Sequence, residues 1–311
     1  SMQISPFLSL GVMISYLLFI GTQNAVITDF HEVTIMMLPL SLTFWALATR
    51  RKKLFLLLFL LTLGFKESVF LIGIGLGMYI LLTRRDWWKT AVATIVISIF
   101  WGWATTNVII PYFLGGQYLY RPDLPQGIVP FVTSFFDEPL KRRTLWYSFG
   151  SFGFLPLMSP AVWPMIIADL LPRFPTKLAF LRWDLGLHYS AQLAPILALG
   201  AIGAAKLLAK QKRIRRYLPV FGILLIGNAT FLHWKLHGPL ALAGNGAFYA
   251  HTKDFGFLDT LVSQVPPGAS VMTQNNLAVR FIHTNKTWLL RDGYDDSKPD
   301  YIVLDLREGQ N

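Results

Sequence analysis

The sequence predicts an α-helical polytopic membrane protein that ends in a small α/β unit. Hydrophobic residues make up 53% of the chain and charged residues only 14%, and the mean hydropathy is +0.46. The apolar residues are gathered into long runs, as in chains that cross a membrane several times. Because this composition changes near residue 236, we divide the chain into a multi-pass membrane domain, 1–236, and a small extracytoplasmic α/β domain, 237–311.

Cysteine content and charge limit the chemistry that the chain can carry out. It has no cysteine, so disulfides, thiolate zinc sites and cysteine nucleophiles are excluded. The net charge of +11 comes from short basic clusters beside apolar runs, which is typical of the inner loops of membrane proteins and not of a nucleic-acid-binding face. We therefore expect membrane lipid, and no nucleic acid, as a partner.

Several apolar runs reach or approach the ~20 residues that a membrane-spanning helix needs. They are residues 6–26, 33–49, 91–112, 190–209 and 217–235. The chain begins with SMQISPFLSL, which has neither the basic region nor the cleavage site of a signal peptide. We therefore assign this stretch to the first membrane segment.

A further apolar run, 54–82, is too long for one crossing. As a single helix it would measure about 43 Å, against about 30 Å of hydrocarbon. Basic clusters lie at both of its ends, at 50–53 and 84–89, and the positive-inside rule places both clusters on the same side of the membrane. The run therefore predicts a hairpin that enters the membrane and returns.

The turn of this hairpin carries two charges, Lys66 and Glu67. Helices over 54–65 and 68–82 are each too short to cross, so the turn would lie in a recessed polar pocket lined by protein or water. The alternative is one tilted helix in which Lys66 and Glu67 neutralise each other inside the bundle.

Run 144–172 predicts a second short-armed hairpin, because Ser159-Pro160 divides it. The prediction is then about nine membrane segments. With the N-terminus inside, 13 Lys and Arg residues lie in the inner loops against the single acid Asp86, and the C-terminal domain lies outside. The cluster Lys141-Arg142-Arg143 falls on the outer side and argues against this orientation.

In this topology the polar residues that packing does not explain converge on the outer face. None of them forms a diagnostic motif alone, and their shared side is the signal. The residues are Asp29, His31, Glu32, Lys66, Glu67, Tyr120, Arg121, His188 and Tyr189. A divalent metal beside Asp29, His31 and Glu32 is an alternative, but three neighbours on one loop lack the facing geometry of a metal site, so we assign no metal or other cofactor.

The tail predicts strands alternating with a helix. Residues 269–274, 287–290 and 300–306 have strand patterns, and 275–283 predicts a helix capped by Asn275. The unit lacks a nucleotide-binding fingerprint. Because a domain this small rarely stabilises itself alone, its expected role is a lid or brace over the outer face.

Separate stretches of the chain together resemble the 2079 family of domains of unknown function. The stretches are NAVITDFHEVTIMMLPL, FKES, VIIPYF, LHYSAQLAPIL, VPPGASVMTQNNLA and PDYIVLDL. The similarity covers nearly all 311 residues. This family comprises multi-pass membrane proteins of bacteria and archaea that are grouped by similarity with GT-C glycosyltransferases.

The resemblance implies a GT-C-like fold in a prokaryotic cytoplasmic membrane. It also implies transfer of a sugar from a polyprenyl-phosphate donor on the extracytoplasmic side. Members begin with a further membrane segment and an outer loop whose acidic residue supplies the catalytic base. Nothing ahead of Gln3 matches that part, so we expect the chain to be truncated at its N-terminus relative to the family.

Such a transfer needs a carboxylate to take the acceptor proton and cations to bind the phosphate that leaves. The catalytic candidates are Asp29, Glu32 and Glu67, the last either orienting Lys66 or acting directly. The expected substrate-binding residues are His31, Lys66, Tyr120, Arg121, His188 and Tyr189. Among these, Lys66 and Arg121 would contact the phosphate.

Two alternative functions remain open at the level of sequence. Broken membrane helices with a charged turn also build the substrate sites of transporters and flippase-like carriers. Against that reading, the two halves of the chain show no internal repeat. The other alternative is a non-catalytic membrane scaffold or fragment.

Overall fold

The computed structural model describes residues 5–28, 31–119, 122–176, 180–239, 255–290 and 297–306. The chain forms two compact units, residues 1–240 and 241–311. In its described part the first unit is helical, and the second combines two helices with a three-stranded sheet.

Helices α1 to α7 occupy the first third of the chain. Their bounds are α1 Pro6–Leu18, α2 Ile20–Ile27, α3 Glu32–Ala48, α4 Lys52–Leu63, α5 Val69–Thr83, α6 Trp88–Ala104 and α7 Ile110–Leu114. A 3₁₀ turn, Arg85–Trp87, precedes α6, and a π-helical segment, Thr105–Ile109, joins α6 to α7. Segment 85–114 is therefore one continuous helical stretch.

The rest of the first unit contains helices α8 to α14. Their bounds are α8 Ile128–Thr133, α9 Pro139–Ser151, α10 Trp163–Leu170, α11 Phe180–Trp183, α12 Leu193–Ala209, α13 Lys212–Arg215 and α14 Leu218–Lys235. A 3₁₀ turn, His188–Ser190, leads into α12.

Three helical stretches of the described residues are long and apolar enough to cross a membrane. They are Pro6–Ile27, Arg85–Leu114 and His188–Ala209. Shorter apolar helices are Glu32–Ala48, Val69–Thr83 and Pro160–Leu170. An integral membrane protein follows from these lengths, whereas the total of nine membrane segments stays a prediction.

The apolar run 54–82 folds as two helices, α4 and α5, and not as one. Backbone hydrogen bonds from Gly64 N to Leu60 O and from Val69 N to Lys66 O close the turn between them. The single tilted helix is therefore wrong. Helix α4 packs against α3, while α5 packs between α6 and α10.

Two glycines allow α5 to approach its neighbours closely. A Cβ atom added at Gly75 would lie 2.8 Å from backbone atoms of Met165 in α10, and one added at Gly77 would lie 2.9 Å from the carbonyl oxygen of Ala91 in α6. Small residues are common where membrane helices meet. The hydrophobic effect does not drive helices together within lipid, so close van der Waals packing does so instead. The hairpin is thereby fixed inside the bundle.

Run 144–172 also divides into two helices, but the break is wider than Ser159-Pro160. Helix α9 ends at Ser151 and α10 begins at Trp163. The break starts early because Gly153 and Phe154 adopt left-handed backbone angles, with φ of 58° and 57°. Two short 3₁₀ turns fill the interval.

The second unit contains a parallel sheet in the order β2-β1-β3. Its elements are α15 Phe255–Ser263, β1 Ser270–Thr273, α16 Asn275–Phe281, β2 Lys286–Leu289 and β3 Tyr301–Val303. The predicted strands and helix are present, but the predicted cap is wrong: Gln274, not Asn275, is the N-cap residue, and its side chain makes no capping bond. Gln274 instead bonds the backbone N–H and C=O of Asp305.

Candidate functional site

Helices α3, α5 and α12 direct their N-terminal ends towards one polar pocket of about 330 Å³. The C-terminal end of α10 reaches the same pocket. The lining residues are His31, Glu32, Val33, Lys66, Glu67, Ser68, Tyr118, Asp169, Pro172, Arg173, Arg182, His188, Tyr189 and Gln192. We call this cavity the polar pocket. Helix N-termini carry partial positive charge, so three of them at one cavity favour an anion there.

Lys66 forms its ion pair with Glu32 and not with its neighbour Glu67. The Lys66 Nζ to Glu32 Oε1 distance is 3.2 Å, and both side chains are only partly exposed. Glu67 accepts a hydrogen bond of 2.9 Å from the Tyr118 hydroxyl. Glu32, the first residue of α3, therefore forms the ion pair with Lys66 that was expected of Glu67.

Two histidines from distant parts of the chain stack at the wall of the polar pocket. The ring centroids of His31 and His188 lie 3.4 Å apart with an interplanar angle of 28°. Tyr189 continues the stack, with its ring centroid 4.1 Å from that of His188. The Arg182 guanidinium lies 5.7 Å from the Tyr189 ring centroid. Successive ring and cation–π contacts therefore hold the two histidines, Tyr189 and Arg182 together.

A buried ion pair lines the polar pocket. The Arg173 Nη2 to Asp169 Oδ2 distance is 2.8 Å, and the side chains are only 4% and 0% exposed. Arg173 Nη1 also donates to the carbonyl oxygen of Arg182 and to Ser190 Oγ, at 3.0 and 3.1 Å. The guanidinium therefore links α10 to the start of the α12 segment.

Several buried polar atoms around this cavity have no hydrogen-bond partner among the described residues. They are Asp169 Oδ1, Arg173 Nε, His188 Nδ1 and Gln192 Oε1. Buried polar atoms are paired in the great majority of cases, so four exceptions around one cavity need an explanation. A polar ligand with both donors and acceptors would supply it.

Sequence analysis missed Asp169, Arg173, Arg182, Tyr118 and Gln192. A signal was present for the first two. Asp169 lies within the apolar run MIIADLLP, and Arg173 follows it at the i,i+4 spacing of a helical ion pair. Nothing local marks Tyr118 or Gln192, since only the fold brings them to the cavity.

The predicted site residues divide into two groups. His31, Glu32, Lys66, Glu67, His188 and Tyr189 line the polar pocket together. Asp29, Tyr120 and Arg121 lie outside the described residues. Within the described residues, no group of three or more His, Asp or Glu side chains has the arrangement to hold a metal ion.

Comparison with known proteins identifies the family of the chain. No curated protein and no solved structure matches it. The model of the family DUF2079, described as "Predicted membrane protein", matches residues 2–311. The chain therefore belongs to this family of predicted membrane proteins.

Proposed function

We propose that the chain transfers a sugar from a polyprenyl-phosphate donor to an acceptor, with the reacting groups bound in the polar pocket. The observation that carries this proposal is the mixture of charges in one cavity of a membrane protein. Three cations, Lys66, Arg173 and Arg182, line the cavity together with three carboxylates. The cations suit a phosphate, and a carboxylate suits an acceptor proton.

The proposed reaction is a single displacement at the anomeric carbon of the sugar. The acceptor oxygen forms a bond to this carbon while the bond from the carbon to the phosphate oxygen breaks. The electron pair of that bond leaves with polyprenyl phosphate, and the acceptor proton passes to a carboxylate. Cations and helix N-termini stabilise the negative charge that develops on the leaving phosphate.

Glu67 is the described carboxylate best suited to take the proton. Glu32 and Asp169 each already hold a cation in an ion pair, whereas Glu67 accepts a hydrogen bond from the Tyr118 hydroxyl. Its negative charge is thus available to an acceptor hydroxyl. Asp29 remains a proposed second carboxylate of the site.

Lys66 is the proposed phosphate contact of the turn. Its ammonium group pairs with Glu32, the first residue of α3, and lies beside the N-terminal end of α5. Arg182 and the proposed Arg121 would contact the same phosphate, while His188 and Tyr189 would bind the phosphate or the sugar hydroxyls. The stacked geometry of the two histidines supports a fixed wall for the sugar.

An outer location of the polar pocket is part of this proposal. The basic clusters flanking α4, α5 and α12 belong to the opposite ends of these helices, and the positive-inside rule assigns such ends to the cytoplasm. Lys141, which argued against this orientation, is buried and pairs with Asp137 at 2.7 Å. It is therefore a structural residue and a weak guide to orientation.

The test is donor binding by the whole chain in detergent. A panel of polyprenyl-phosphate sugars is added, and thermal unfolding is followed for the wild type, Lys66→Ala and the control Arg142→Ala. A ligand that binds only the folded state raises its stability, by about 2.7 kcal/mol at 100 times its Kd. Arg142 is an exposed arginine that does not line the polar pocket.

We expect a shift in the wild type and the control, and a smaller shift in Lys66→Ala. An equal shift in Lys66→Ala would remove Lys66 from the donor site. A full absence of shifts across the panel, with the wild type folded, would contradict the proposed function.

A further inference from the structure

A second cavity lies between α1, α3, α5 and α12, and it is larger and more apolar than the polar pocket. Its volume is about 1000 Å³, at the upper end of the range of ligand pockets. Its walls include Val12 and Met13 of α1, Phe44 of α3, Leu82 of α5 and Ile202 of α12. We call this cavity the apolar groove.

The apolar groove extends away from the polar pocket along the same helices. The polar pocket is lined at the start of α3, by Glu32, and the apolar groove towards its end, by Ala48. Gln192, just before α12, lines the polar pocket, whereas the apolar groove is lined by α12 from Pro195 onward and by Lys210 just after it. A helix of 17 residues is about 25 Å long, so Lys210 lies far from the polar pocket.

Positive charge is confined to one end of the apolar groove. The charged residues that line it are Arg84, Lys206 and Lys210, and no described carboxylate lines it. None of the ion pairs between described residues includes these three cations. Arg84 also donates to the carbonyl oxygen of Ala48 at 3.3 Å, which fixes it where α3 and α5 end.

The rim of the apolar groove is continuous with the exposed apolar surface of the first unit. Among its lining residues, Met13 is 51% and Leu82 is 63% exposed, and Trp45 and Leu207 are also exposed. In a membrane protein such a surface contacts lipid chains. A hydrocarbon chain can therefore enter the groove sideways from the bilayer.

We propose that the apolar groove binds an anionic phospholipid of the bilayer, with its phosphate at Arg84, Lys206 and Lys210 and its acyl chains along the apolar walls. Charge complementarity supports this occupant: three cations without a described carboxylate match a negatively charged headgroup. Basic pockets between membrane helices bind anionic lipid headgroups in this way. The basic stretch at 50–53 lies at the same end of the helices.

The test compares two lipids with identical acyl chains, phosphatidylglycerol and phosphatidylcholine. The whole chain is delipidated in detergent, each lipid is titrated in, and its apparent Kd is obtained from thermal stabilisation and native mass spectrometry. The first variant carries Arg84→Gln, Lys206→Gln and Lys210→Gln. The matched control carries Lys212→Gln, Arg213→Gln and Arg215→Gln, which remove the same charge from residues that do not line the groove.

We expect the wild type and the control to bind phosphatidylglycerol more tightly than phosphatidylcholine. The groove variant should lose this preference, with an affinity for phosphatidylglycerol lower by on the order of 100-fold. A further variant, Ala198→Phe, fills the groove without changing charge, and it should weaken the binding of both lipids.

Equal affinity of the wild type for the two lipids would overturn the proposal, and so would an equal loss in the control. Tight binding of a polyprenyl phosphate with no preference for phosphatidylglycerol would also overturn it, because the occupant would then be a different lipid. The charge substitutions leave the polar pocket unchanged, since all six of those residues lie at the other end of the helices, and Ala198 does not line the polar pocket.

Discussion

The buried ion pair between Asp169 and Arg173 gives the sharpest prediction about stability. Both side chains are almost fully buried, and the guanidinium makes two further hydrogen bonds, to Arg182 and Ser190. Replacing Asp169 by Ala leaves a buried cation without its counter-charge. Breaking one partner of a buried pair costs about 3–5 kcal/mol, so we expect Asp169→Ala to lower the free energy of unfolding by that amount.

The second variant separates the loss of the pair from the burial of an unpaired charge. In Asp169→Ala with Arg173→Met the lone cation is gone, and we expect part of the stability to return. The return is incomplete because the acceptors at Arg182 and Ser190 lose their donor. Denaturant unfolding in detergent micelles, followed by tryptophan fluorescence, measures all variants.

An exposed pair in the same unit provides the control. Arg50 and Asp86 are 3.5 Å apart, and their side chains are 65% and 53% exposed. Asp86→Ala should therefore change the free energy of unfolding by only about 0–1 kcal/mol. If Asp169→Ala were no worse than Asp86→Ala, or if the double variant were less stable than Asp169→Ala, the reasoning from buried charge would be refuted.

Two further predictions concern the packing of α5 and the tail sheet. Gly75→Val should lower the free energy of unfolding by about 1–3 kcal/mol, because its Cβ would collide with the Met165 backbone. If the variant were as stable as the wild type in the same denaturant assay, the two helices could separate at no cost. In the tail, hydrogen bonds from the Ser270 hydroxyl and backbone N–H lower the pKa of Asp300. A lowered folded-state pKa stabilises the fold above the unfolded value and loses this effect as pH falls through the folded value. Asp300→Asn should thus have a lower Tm than the wild type at pH 7, and this difference in Tm should shrink in acid below about pH 4. A difference in Tm that does not depend on pH would contradict this linkage.

Much of the helical architecture was predictable because it depends on local properties of the chain. The hairpin α4–α5 follows from the length of run 54–82 and from the basic clusters at both of its ends. Its turn at Lys66 and Glu67 follows from the cost of charge in hydrocarbon. The strands of the tail follow from short buried runs separated by a helix and turns, whereas their parallel pairing is seen only in the structure.

The predictions failed where a residue has a competing partner that sequence does not show. Asn275 has the residue type of a helix cap, yet the helix begins with it, and Gln274 at the cap position bonds to Asp305 instead. The break in run 144–172 begins at Gly153 rather than at Ser159, because backbone conformation and not proline alone ends α9.

The sequence by itself determined that this is a membrane protein with a charged hairpin turn and a cluster of polar residues around it. Hydropathy and charge are sums over neighbouring residues, so they can be evaluated without the fold. Only the tertiary structure decided that Lys66 pairs with Glu32, that His31 stacks on His188, and that the cations of the apolar groove gather at the other end. These contacts depend on the rotation and packing of whole helices, which bring together residues that are far apart in the chain.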